Sequence, residues 1–206
     1  VLELSDNKLI ELPAGMGDLE NLEQLTLNYN QLTELPAWIG NLTKLKRLLL
    51  GKNKLRSLPG NIGNLTNLKV LELSNNELTS LPASMEDLEN LDRLFLTSNH
   101  LREFPASIGK LTKLTKLWIE NNQITELPAS IEDLKNIEKL CLSSNQLIEL
   151  PAGIVNLTKL KWLHLNGNKL TSLPVGIGNL TRLLLLDLRA NQLPQEQISQ
   201  TFRLVP

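Results

Sequence analysis

Asparagine recurs every 23 residues along the whole chain, at Asn7, Asn30, Asn53, Asn76, Asn99, Asn122, Asn145, Asn168 and Asn191. A period of that length, kept without a slip, specifies a solenoid of stacked coils and excludes an ordinary globule. Other residues keep the same frame. Around Asn30 stand Leu22, Leu25, Leu27, Leu32, Leu35-Pro36, Ile39 and Leu42; around Asn122 stand Leu114, Leu117, Ile119, Ile124, Leu127-Pro128, Ile131 and Leu134. The alternation in Gln24-Leu25-Thr26-Leu27-Asn28 predicts a short strand with both leucines turned inward. One such strand cannot bury its apolar side alone. Nine of them stacked in parallel, one per asparagine, form a continuous core in which each coil touches only its neighbours.

The asparagine falls where the chain leaves the strand. Its carboxamide offers donors and an acceptor to loop backbone groups that would otherwise be orphaned, in its own coil and in the next. Asn30, Asn53, Asn76, Asn99, Asn122, Asn145 and Asn168 are therefore the expected structural ladder. The Leu-Pro pair returns the chain along the outer side. Proline fixes its own φ and holds the leucine before it extended, so the convex side is expected to be extended or 3-10 rather than α-helical.

The array is expected over residues 1–193, as nine repeats of which the first is partial. After Leu193 the frame fails, and Glu196-Gln197 stand where Leu-Pro is due. Residues 194–206 predict a helix opened by Pro194 and Glu196, with Ile198 and Phe202 one turn apart, covering the last coil as a C-terminal cap. The chain begins at Val1 in mid-repeat, with no methionine and no polar cover, and reads as a fragment or a trimmed end.

The full unit Leu45-x-x-Leu48-x-Leu50-x-x-Asn53-x-Leu55-x-x-Leu58-Pro59-x-x-Ile62-Gly63-Asn64-Leu65 resembles one class of leucine-rich repeat. It is similar to the repeats of bacterial leucine-rich-repeat proteins, of plant intracellular Ras-group proteins and of animal Ras-pathway scaffolds. The resemblance covers residues 1–193, and the tail is similar to the helical end of the bacterial proteins. Plant receptor repeats with a Gly-x-Ile-Pro centre, and the shorter repeats of bacterial effector ubiquitin ligases, are not matched. The resemblance implies an α/β fold: a right-handed, curved solenoid with parallel strands on its concave face. It also implies a non-enzymatic module, without cofactor or metal, that recognises a protein on that face.

Composition narrows the setting. The net charge of −1 with mixed signs gives no strong field for polyanions. No apolar run approaches a membrane span, and no signal-peptide pattern opens the chain. The one cysteine, Cys141, lies inside the array, so disulfide-bonded flanking caps of the animal cell-surface kind are impossible. A cytoplasmic protein and a bacterial secreted or surface protein both remain. The Asn-Leu-Thr triplets at Asn41, Asn64, Asn156 and Asn179 match the glycosylation sequon, but they recur because the repeat does and are read as structural.

The frame also sorts variable residues into columns across the strands. The outward position four before each asparagine reads Glu3, Thr26, Leu49, Glu72, Phe95, Trp118, Cys141, His164 and Asp187; six before, it reads Val1, Gln24, Arg47, Val70, Arg93, Lys116, Lys139, Trp162 and Leu185. Aromatic residues are few, and Phe95, Trp118 and Trp162 fall in these two columns, where a leucine core does not need them. Rings and arginines dominate binding hot spots, so Phe95, Trp118, Trp162, Arg93, Lys116, His164 and Leu185 are the candidate contact surface of a monomer for a protein with an acidic patch. Trp38, alone on the outer side, reads as incidental packing.

Two rival readings follow from the same columns. Cys141, His164 and Asp187 are consecutive in one column and are the residue types of a thiol nucleophile with base and orienter, or of a soft-metal site. Adjacent parallel strands project their side chains alike, however, and an open sheet lacks an oxyanion hole and excludes no water. The second reading is a polyanion. Lys46, Arg47, Lys69, Arg93, Lys116, Lys139 and Lys161 form a basic stripe against Glu23, Asp92 and Glu138, but Glu72, Glu120 and Asp187 interrupt the face, so nucleic acid is disfavoured.

Overall fold

In the computed structural model the backbone is described for residues 1–203 and the side chains for residues 1–199. Nine short strands are present: β1 (Leu2–Glu3), β2 (Gln24–Thr26), β3 (Arg47–Leu49), β4 (Val70–Glu72), β5 (Arg93–Phe95), β6 (Lys116–Trp118), β7 (Lys139–Cys141), β8 (Trp162–His164) and β9 (Leu185–Asp187). They form one parallel sheet in chain order. Each strand pairs in register with the equivalent residues of the next coil, as in Leu25↔Leu48 and Phe95↔Trp118. Burial of the alternate leucines enforces that register, because a slip of one residue would turn each leucine to solvent. Leu25, Leu48, Leu71, Leu94, Leu117, Leu140 and Leu163 are fully buried.

On the outer side each Leu-Pro pair leads into a short 3-10 turn, from Ala14–Asp18 in the first coil to Ile177–Asn179 in the eighth. The prolines ahead of them are extended: Pro36 has φ −67 and ψ 151, Pro128 φ −65 and ψ 149. No α-helix forms there, as the proline argument requires. Strand, turn and strand repeat as the right-handed, curved solenoid expected from the repeat.

Each ladder asparagine spans two coils. Asn122 Nδ2 donates to Ile119 O at 3.1 Å in its own coil and to Leu96 O at 2.9 Å in the coil before, while its Oδ1 accepts from Leu101 N at 3.0 Å. The expectation of bonds to the following coil is thus corrected: every bond leaving the coil runs backward. The reason is geometric, since the loop bends the carboxamide toward the carbonyls of the strand already laid down. Asn7 accordingly bonds only Leu4 O and Ser5 O.

A second regularity sits one residue earlier. Asp6, Tyr29, Lys52, Asn75, Ser98, Asn121, Ser144, Gly167 and Ala190 all adopt positive φ, between 53 and 70 degrees. The loop therefore takes a left-handed residue in every coil, although only one of the nine is glycine.

After the last strand the chain enters the helix α1 (Gln195–Arg203). Pro194 O accepts from Gln197 N at 3.1 Å, and Gln197 Oε1 accepts from Leu173 N at 3.4 Å, which ties α1 to the eighth coil. Ile198 borders a hollow with Leu185, Leu186 and Leu188 of the last strand segment. The Phe202 side chain, expected on the same helix face, lies outside the described residues, as do Leu204, Val205 and Pro206. Among the described residues no helix is long and apolar enough to cross a membrane.

Candidate partner-binding face

The outward side chains of β2 to β9 occupy the columns read from the frame. In the column four before asparagine, Phe95 and Trp118 stack face to face, with centroids 4.2 Å apart and planes 7° from parallel. Lys139 Nζ lies 5.5 Å from the centroid of the Trp118 ring, a cation–π contact from the neighbouring column. Trp162 stands apart. Strand β7 separates it from Trp118, and its register partners are Lys139 and Leu185. The three rings thus form a stacked pair and a separate tryptophan, because the intervening strand carries Lys139 and Cys141 where a third ring would be needed.

Next to Trp162, Leu185 is 40% exposed and Leu184 72% exposed, an apolar end to the face. His164 is half-buried, and its Nε2 is shielded without a hydrogen-bond partner. Arg93 Nε lies 3.2 Å from Asp92 Oδ2.

The basic stripe is partly neutralised. Lys46 pairs with Glu23 at 2.8 Å and Lys161 with Glu138 at 2.9 Å, both across one coil. Glu23 is held below the usual carboxylate range by its hydrogen bond and charge contact with Lys46. All three acids of the stripe are thereby engaged, and Arg47, Lys69, Lys116 and Lys139 have no ion pair among the described residues.

Cys141 sits between Trp118 and His164 in register and is buried to 1% exposure. Burial, then the charge of Glu120, pushes its thiol up to about 12 against the pull of Lys139. A thiol held there has almost no thiolate at neutral pH and is a poor nucleophile. Asp187 does not orient His164. It accepts from Arg189 Nε at 2.9 Å and Nη2 at 2.6 Å, and that hydrogen bonding holds its carboxyl below the usual range. Among the described residues no three His, Cys, Asp or Glu side chains are placed to hold a metal ion.

The model of the leucine-rich repeat region matches residues 1–72, 50–123 and 116–203. The chain belongs to the leucine-rich-repeat family. Similar solved structures include a leucine-rich-repeat protein of Leptospira interrogans, 36% identical with a TM-score of 0.79 over 100% of this chain and 58% of that one. Another is the ectodomain of the membrane receptor kinase GASSHO1/SCHENGEN3 of Arabidopsis thaliana in complex with CASPARIAN STRIP INTEGRITY FACTOR 2, 36% identical, TM-score 0.81, over 89% and 23%. The functional domain of InlJ from Listeria monocytogenes, which includes a cysteine ladder, is 27% identical, TM-score 0.82, over 94% and 40%. This chain therefore spans less than two thirds of each. No curated protein matches it in sequence.

Within this leucine-rich repeat a second polar ladder escaped the sequence reading. Nine residues before the ladder asparagines, Lys44 donates to Asn21, Lys113 to Asn90 and Lys159 to Asn136, at 2.5 to 2.6 Å. Asn67, Asn90 and Asn136 in turn donate to the Thr43, Thr66 and Thr112 carbonyls of the preceding coil at 2.8 to 3.0 Å. The signal was present as a column of lysines and asparagines, but exposed polar residues at a coil edge look like solvated surface until their partners are seen.

Proposed function

We propose that the concave face of this repeat array is a protein-binding surface without catalytic activity, and that Phe95, Trp118, Trp162, Arg93, Lys116, His164 and Leu185 make the contacts. The observation that carries the reading is the Phe95–Trp118 stack on an open sheet face whose core is already filled, mainly by leucine and isoleucine. Large rings kept outside the core offer a rigid apolar surface at small entropic cost on binding. The unpaired cations beside them complement an acidic protein patch. The Arabidopsis ectodomain, of the same fold, was solved in complex with another molecule, which supports a binding role for the architecture. Residues 194–206 act as a cap on the array of residues 1–193, and the protein works as a monomer in the cytoplasm or as a bacterial secreted or surface protein.

The experiment is capture of partners from lysate by the full chain against Phe95→Ser/Trp118→Ser/Trp162→Ser. The rings lie outside the core, so circular dichroism and melting should stay near wild type while capture is lost, each hot-spot truncation costing about 2 kcal/mol or more. Cys141→Ser should weaken capture only slightly. Loss in Cys141→Ser with capture preserved in the triple variant would instead favour a thiol or metal site.

A further inference from the structure

We infer that the occupant of this face is an amphipathic α-helix with one acidic flank, lying across the strands around β5 to β7. The inference rests on the reading of the concave face as a protein-binding surface. It starts from segregation. The aromatic stack of Phe95 and Trp118 forms one column, and the unpaired Lys116 and Lys139 form the next. The contact between Lys139 Nζ and the Trp118 ring brings the two columns side by side, within reach of one ligand.

Spacing favours a helix. The two rings stand 4.2 Å apart, close to the strand spacing of about 4.8 Å. A helix presents its i, i+3, i+4 stripe with a pitch of about 5.4 Å, so its apolar residues keep step with the two strands that carry the rings. Glutamates on the adjoining stripe stay beside the lysines over the same distance. An extended segment repeats its same-face residues about every 6.7 Å and falls out of step within two strands.

Backbone chemistry points the same way. The amides of β5, β6 and β7 are spent within the sheet, so its face offers none to an incoming chain. An extended segment laid there would lose water from peptide groups without regaining partners, whereas a helix satisfies its own. A single-stranded polyanion fits less well still. It gains by stacking bases on open ring faces, and Trp118 has Phe95 on one face and Lys139 against its ring.

The test uses synthetic probes on the folded full chain, read by fluorescence anisotropy at low salt. The first is a helix of about 18 residues with leucine on one stripe and glutamate on the adjoining one. The others are the same composition broken by two central prolines, the leucine/lysine counterpart, and oligo-dT. The acidic helix should bind saturably, and the proline-broken peptide about tenfold more weakly or worse. Lys116→Glu/Lys139→Glu, checked for fold by circular dichroism, should lose the acidic helix about tenfold or more and gain the lysine one.

No saturable binding of the acidic helix up to millimolar concentration, equal binding of the broken peptide, or tighter binding of oligo-dT would overturn the inference. If any of these occurs while Phe95→Ser/Trp118→Ser/Trp162→Ser still abolishes capture from lysate, the helix falls and the protein-binding face stands. If the triple variant captures normally, the face itself falls.

Discussion

Replacing Asn122 by alanine removes four hydrogen bonds, but they are not equivalent. Nδ2 reaches Leu96 O, Ile119 O and Glu120 O at 2.9, 3.1 and 3.2 Å, and Oδ1 accepts from Leu101 N at 3.0 Å. All three carbonyls keep a partner: Leu96 O still accepts from Asn99, Ile119 O from Asn145 and Glu120 O from Ser98 N. Leu101 N–H loses the one partner it has, in a fully buried residue. The cost is then dominated by one orphaned amide, about 1–3 kcal/mol, with a smaller contribution from the singly bonded carbonyls. Asn122→Asp should cost at least as much. It keeps an acceptor for Leu101 but turns an acceptor toward Leu96 O and Ile119 O, where a donor is required. Asn7→Ala, whose exposed carboxamide bonds only its own coil, should be nearly neutral. Urea titrations of the three variants decide it. Equal midpoints for Asn122→Ala and wild type, or an Asn7→Ala loss as large as that of Asn122→Ala, would refute the account of the ladder.

Ser144 has φ 55, so Ser144→Gly should stabilise by up to about 1 kcal/mol as left-handed strain is relieved, less the entropy glycine adds to the unfolded chain; a drop in melting temperature would contradict this. Removing residues 195–206 should bare the apolar segment around Leu186 and Leu188 and cause association visible by light scattering, and a truncated chain that stays monomeric at high concentration would count against the cap. The Cys141 thiol is raised in the folded state to about 12, so its contribution to stability is complete below the ordinary thiol pKa and is lost as pH rises from there to about 12. Stability of wild type should therefore fall more steeply above pH about 9 than that of Cys141→Val, and native Cys141 should resist a thiol reagent at neutral pH; parallel pH slopes or rapid native labelling would sink the assignment.

The frame of leucine, asparagine and Leu-Pro was legible in the sequence because each of those residues acts through its position in the repeat. Leu25 and Leu27 face inward by alternation, Pro36 enforces an extended entry to the outer turn, and burial of one face leaves a single register. The columns of the concave face followed directly, including Phe95 beside Trp118. The order of contacts within those columns did not. Periodicity says which column a side chain leaves from, whereas its rotamer is decided by what stands on the next strand. Only the tertiary structure shows Trp118 between Phe95 and Lys139, Trp162 set apart by β7, and Glu23 and Glu138 satisfied by lysines one coil on. The backward reach of Asn122, the left-handed residue before each asparagine and the bond that Arg189 donates to Asp187 are likewise set by backbone turns and neighbouring charges that a list of residues does not carry. The sequence determined the solenoid and its faces, because a solenoid needs only repeated burial; the tertiary structure decided which groups on the open face remain free, because that depends on pairings between coils.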